Sequence, residues 1–306
     1  MLLLMTVSAS VFLAEAAVRF SLRTVRSSGD ARSYFGVAPE ALRVNNYGYR
    51  DPDIPDGPHS TYRIVVIGDS ITWGQGLVEA ERYTNRLRMA LGAGYEVFHF
   101  GVSGRNLPDH RDLVPRALRL SPQFVLLQLY PNDWEIGDMD RPILRPLLPW
   151  PRLEEPLLAH SALYSLLSMQ WMLLQPRLGM TDSYDAYMRK HLADPSLPQA
   201  RRSTEMLQGI FRSVRAGGAE VGAIMFPNPA VLTADGLDFL HDRLQAVCRD
   251  EQVTCVDLRQ PFRQHFRNLK EIAVSPLGGH PSPAANAVAA DELLRIFGPV
   301  WTPLHP

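Results

Sequence analysis

A parallel α/β sheet is the fold class that this 306-residue sequence predicts, and two patterns predict it. Five short apolar runs recur along the chain: Tyr62–Ile67, Glu96–Phe100, Phe124–Leu129, Glu220–Phe226 and Val253–Asp257. Segments of helical periodicity separate them, near 80–92, 108–120, 199–216 and 236–250, with a last one at 284–297. Strands that alternate with helices imply right-handed crossovers and a sheet covered on both faces. No internal repeat or low-complexity block interrupts the alternation.

Composition narrows the class of function. The chain is 46% hydrophobic and 21% charged, enough for a substantial core. A net charge of −1 gives no long-range pull toward nucleic acid, and none is expected as a partner. Cys248 and Cys255 form neither a disulfide scaffold nor a zinc pattern; they are either a reduced core pair or one bridge.

Residues 1–20 predict a membrane anchor. No charge occurs before Glu15, and the apolar run reaches Val18, near the lower limit of about 17 residues for a spanning helix. Ala14-Glu15-Ala16 resembles a signal cleavage site, but a basic segment before the run is missing, which favours an uncleaved anchor. Arg19, Arg23 and Arg26 argue by the positive-inside rule for a cytoplasmic domain, against the extracytoplasmic (periplasmic) placement that we expect. Residues 21–61, rich in Gly, Pro, Asp and Ser, predict a linker and entry segment. Residues 62–300 form the α/β domain, interrupted by an apolar helical insertion at about 140–195. Within it, Pro156 to Pro176 holds no Asp, Glu, Lys or Arg. Such a helix is either a buried lid or docks against the bilayer or another chain.

Chemistry in an open parallel sheet gathers in loops at the carboxyl ends of the strands. Those loops carry Ser70 after the first strand, Ser103-Gly104 after the second and Asn132-Asp133 after the third, with His280 before the last helix. A hydroxyl that attacks a carbonyl needs a base and donors for the oxyanion. Ser70 and His280 fit nucleophile and base; the N–H groups of Ser70 and Gly104 and the Asn132 amide fit three donors. Trp73 and Trp134 flank these blocks as candidate walls for a sugar or acyl chain. His99 fits a satisfied half-buried residue, and Arg105 a solvated rim charge.

"GDSITWGQG", "FGVSGRN", "YPNDW" and "GGHPSPAANAVAADEL" together resemble the four blocks of the SGNH, or GDSL, hydrolase family. Upstream, "VNNYGYR" resembles the entry segment of membrane-anchored bacterial members. The resemblance spans roughly residues 44 to 297. It implies a flavodoxin-like α/β/α sandwich with five parallel strands, and places Ser70, Gly104, Asn132 and His280 at the catalytic and oxyanion positions. It also implies acyl hydrolysis or transfer on esters or acylated sugars without a cofactor. Two departures stand out: Tyr130-Pro131 replaces a glycine-containing pair before Asn132, and Leu277-Gly278 stands where the family carries an aspartate before the histidine. Asp291 or Glu271 are distant substitutes. Two functions follow: a membrane-anchored serine esterase or acyltransferase, or a non-catalytic accessory subunit of a membrane complex.

Overall fold

Seven consecutive buried residues, Tyr62–Gly68, form β1, an interior strand of a five-stranded parallel sheet. The other strands are β2 (Tyr95–Gly101), β3 (Phe124–Leu129), β4 (Glu220–Met225) and β5 (Thr254–Asp257), in the order β2-β1-β3-β4-β5. A strand covered on both faces needs a continuous apolar run rather than an alternating one, and Ile64 to Ile67 supply it at 0% exposure. The computed structural model describes residues 2–23, 32–33, 36–37, 44–55, 57, 59–137, 139–232, 237–275 and 278–302.

The chain divides into two units. One comprises residues 30–139 and 188–306 and contains the sheet. Boundaries of the expected strands here lie within one residue of the sequence expectations, and those of the expected helices within three, the largest shift being a helix that starts at Tyr83 and not 80. After β1 comes the single turn α2 (Ser70–Trp73), then α3 (Tyr83–Leu91), and α4 (Leu107–Leu118) follows β2. β3 leads into a 3-10 turn, Pro131–Trp134. α8 (Pro198–Ala216) precedes β4, α9 (Asp238–Asp250) precedes β5, and α10 (Arg259–His265) and α11 (Leu269–Ile272) follow it. A short antiparallel pair, β6 (Ala273–Ser275) and β7 (Gly278–Pro281), then delivers the chain to α12 (Pro283–Phe297). Cys248 and Cys255 are joined by a disulfide that ties α9 to β5.

Residues 45–54 are built into this unit. Asn45, Tyr49, Arg50, Asp51 and Ile54 are buried, and the Arg50 guanidinium donates to the carbonyls of Gly74 (2.7 Å) and Leu77 (2.6 Å). Asp51 accepts from Arg88 and from the His99 N–H. The "VNNYGYR" stretch is therefore a brace under the end of α2.

The other unit, residues 1–29 and 140–187, is helical. It contains α1 (Leu2–Arg23), α5 (Pro151–His160) and α6 (Ala162–Arg177), and the boundary between the units falls within α7 (Tyr184–Leu192). The single helix expected over 156–176 is instead two: Ser161 takes an extended conformation (φ −116°, ψ 115°) and the pair is bent by 116°. Ser161 caps the second helix through its hydroxyl, which a continuous helix would forbid. Among the described residues no single helix is long and apolar enough to cross a membrane.

Candidate active site

Ser70 is the first residue of α2, at the carboxyl end of β1. Asp69 precedes it as N-cap, its carboxylate accepting from the Ile71 N–H at 2.8 Å. The turn closes at Gly74 in the left-handed region (φ 76°). Two glycines let α2 lie across the strand ends. A Cβ at Gly68 would fall 2.2 Å from Thr72 Oγ1, and one at Gly101 would fall 2.5 Å from the Trp73 backbone nitrogen. Gly68 and Gly101 are register partners on neighbouring strands, so both clearances are needed at one place.

Below the turn sits Gln128, fully buried in β3. Its Oε1 accepts from the Asp69 N–H (3.1 Å) and from Thr72 Oγ1 (2.7 Å). A polar side chain in the otherwise apolar run "FVLLQL" was the available signal for this role, and the sequence expectations passed over it. Arg50 and Asn286 were likewise missed.

His280 comes from β7. Its Nε2 lies 2.9 Å from Ser70 Oγ, across 210 residues of sequence. α12 fixes the segment: Ser282 is its N-cap, accepting from the Ala285 N–H, and donates to the Glu271 carbonyl. Buried Asn286 donates to the carbonyls of Pro281 and Ser282 and accepts from the Tyr83 N–H, linking α12 to α3. Burial lowers the His280 pKa, which favours the neutral imidazole that can take a proton.

Among the described residues no carboxylate reaches His280. Glu271 is committed to the Arg267 N–H and the Asn268 amide, and Asp291 is exposed on α12. Leu277 lies outside the described residues. Tyr130 runs alongside this segment: a Cβ on Gly279 would meet its hydroxyl at 3.1 Å. Tyr130 thus packs beside the histidine strand, and the Ser70–His280 contact is intact.

Gly104 follows β2 at φ 78°, in open space. Asn132 lies in the 3-10 turn after β3, with a buried Oδ1 that makes no hydrogen bond among the described residues. Among the described residues the N–H groups of Ser70 and Gly104 and the Asn132 side-chain amide carry no hydrogen-bond partner. Donors left unspent at strand ends are what an oxyanion requires.

The remaining candidates are accounted for. Trp134 is fully buried, so it is a core residue and not a pocket wall; it follows Asp133 on the inward side of the turn. Trp73 is half-buried. His99 is fully buried between the Arg50 carbonyl and Arg82, and Arg105 pairs with Asp109 at the rim. Beneath the site, Asp69, Asp133 and His110 form a buried cluster, with His110 Nε2 3.3 Å from Asp133 Oδ1 but without hydrogen-bond geometry. Burial pushes Asp69 up to about 7, raises Asp133 well above the usual carboxylate range and takes His110 down to about 4. The cluster is biased toward its uncharged forms. Among the described residues no cluster suited to a metal ion occurs.

Known proteins share this architecture. TesA resembles the chain with a TM-score of 0.50 at 16% identity, covering 78% of this chain and 99% of that one. The lipase/acylhydrolase from Enterococcus faecalis gives 0.48 at 14%, covering 80% and 100%. At 16% identity the likeness to TesA is one of fold. No curated protein matches the chain. The family model for GDSL-like lipases and acylhydrolases, however, matches residues 66–288, which include Ser70, Gly104, Asn132 and His280. With most of its sheet domain inside that match, the protein belongs to the GDSL-like lipase/acylhydrolase family.

Proposed function

We propose that the protein is a serine ester hydrolase or acyltransferase, and the observation that carries this is the 2.9 Å contact between Ser70 Oγ and His280 Nε2. Ser70 attacks the ester carbonyl while His280 takes its proton. The oxyanion meets the N–H groups of Ser70 and Gly104 and the Asn132 amide. His280 then returns the proton to the leaving alcohol. Water, or a second alcohol in the transfer reaction, attacks the acyl-enzyme with His280 again as base. No cofactor takes part.

The substrate is an ester or acylated sugar, and the protein works at a membrane through its apolar N-terminal helix. The Cys248–Cys255 disulfide supports an oxidising, extracytoplasmic compartment for the domain. Turnover of a short-chain aryl ester tests the activity: wild type should exceed Ser70→Ala, and equal rates would reject the proposal. One observation favours a second reading, that of an accessory subunit of a membrane complex: among the described residues no carboxylate orients His280. In the serine-protease triad that orienting group is worth about 10⁴ in turnover.

A further inference from the structure

Glu15 is the one acid in the apolar N-terminal run, and α1 uses it on a neighbouring helix. Its carboxylate accepts from Ser161 Oγ (2.8 Å), the Ala162 N–H (2.9 Å) and the Leu163 N–H (2.9 Å) at the start of α6. Arg19, one turn further along α1, pairs with Glu15 at 2.6 Å and donates to the His160 carbonyl, the end of α5, at 2.5 Å. An acid therefore sits at the N-terminus of one helix and a base at the C-terminus of the other, each matched to the local dipole. With the Ser161 hydroxyl capping the Tyr164 N–H and the Ser161 N–H donating to the Leu157 carbonyl, all four orphan donors of α6 are satisfied.

On α6 the surface is inverted relative to that of a water-facing helix. Ser168 and Gln175 are buried at 5% and 1% exposure, and Gln175 bonds both backbone groups of Arg145. Leu153, Leu167 and Leu173 stand out at 57%, 49% and 54%. Around α6 the exposed Leu167 and Leu174 share one side, while Met172 and Leu173 lie roughly 140° and 120° round from Leu167 in opposite senses at 100° per residue, so no single flat face awaits one protein partner. Exposed Arg152 and Arg177 and the half-exposed ring of Trp150 mark the ends, as headgroup-facing residues do.

We propose that α1, α5 and α6 are fastened by the Glu15–Arg19 clasp into one unit that sits in the acyl chains of an anionic bilayer. The bent α5–α6 pair enters and leaves the same leaflet. Glu15 and Arg19 tolerate that setting because they neutralise each other and spend their hydrogen-bonding capacity on helix ends. The inference rests on the membrane association proposed above, and does not depend on whether Ser70 is catalytic.

The experiment uses the full chain in nanodiscs of phosphatidylcholine and phosphatidylglycerol that carry a phospholipid with a photoreactive acyl chain. Mass spectrometry then maps the labelled peptides. Label is expected in both α1 and residues 157–174, and in Glu15→Ala it should be lost from α6 while persisting in α1. Glu15→Gln, which keeps an acceptor, should retain part of the α6 label; Arg19→Ala provides a second break should Glu15→Ala fold poorly. Label in α1 alone in the wild type would overturn the unit, and unchanged α6 label in both clasp variants would overturn the clasp. Lipid-free α6 cross-linked to a second copy would replace the bilayer with a dimer. No label anywhere, with no protein bound to discs, would reject the membrane association itself.

Discussion

Gln128→Leu is the substitution that most specifically probes how the fold presents Ser70. Leucine fills similar volume in β3 but removes the acceptor shared by the Asp69 N–H and Thr72 Oγ1. Thr72 retains the Tyr83 hydroxyl at 2.6 Å, so the Asp69 N–H is the donor left stranded. An orphaned buried donor costs about 1–3 kcal/mol. Among the described residues Gln128 Nε2 has no partner, so its removal offsets part of that cost. A net loss of about 1–2 kcal/mol is expected, read as a lowered urea midpoint at constant slope. The effect on turnover should be larger than the effect on stability, because Asp69 caps the turn that aims Ser70 and a misplacement of about 1 Å can cost about 100-fold. The assay is aryl-ester turnover at a temperature where both proteins are folded. A variant with native turnover and native stability would refute the role of Gln128 as the support of the nucleophile turn.

Other outcomes follow from the same geometry. The acid limb of kcat/KM should have its midpoint below about 6.5, because burial lowers the His280 pKa and keeps its base form available at mildly acidic pH; a midpoint above 7 would contradict this. Asp69 is raised to about 7, so its contribution to stability is present at low pH and lost as pH climbs toward and through that value. His110, held down to about 4, opposes this trend only up to about 6.5, the point at which unfolded histidine has lost its proton. Relative to wild type, Asp69→Asn should gain urea midpoint progressively between about pH 4 and 7, the window set by the unfolded and folded values of Asp69. Gly101→Ala should destabilise the protein by about 1–3 kcal/mol and depress turnover, since its methyl meets backbone and not a movable side chain. Reducing the Cys248–Cys255 bond, which closes a short loop, should cost about 2 kcal/mol in the same denaturation assay.

Sheet, strand limits and the four site loops were legible because a buried parallel strand must be apolar throughout and small residues must end it. β3 was found to the residue, at Phe124–Leu129. What stayed hidden was the meaning of single polar residues within apolar stretches. Gln128 read as a blemish in a strand and Glu15 as an interruption in an anchor; both are acceptors for donors far away in sequence. Distance in sequence also concealed Arg50, whose partners on Gly74 and Leu77 are 24 and 27 residues away. The break at Ser161 was missed for a different reason. A serine is tolerated inside one continuous helix as well as at an N-cap, and only the packing of Glu15 beside it separates the two.

The account rests on Ser70 being a nucleophile activated by His280. The most direct measurement is covalent labelling with a fluorophosphonate in the detergent-solubilised full-length protein, mapped by mass spectrometry. A mass increase on the peptide that contains Ser70 is expected, lost in Ser70→Ala and strongly slowed in His280→Ala. No adduct at Ser70 in folded wild-type protein, or equal labelling in His280→Ala, would contradict it.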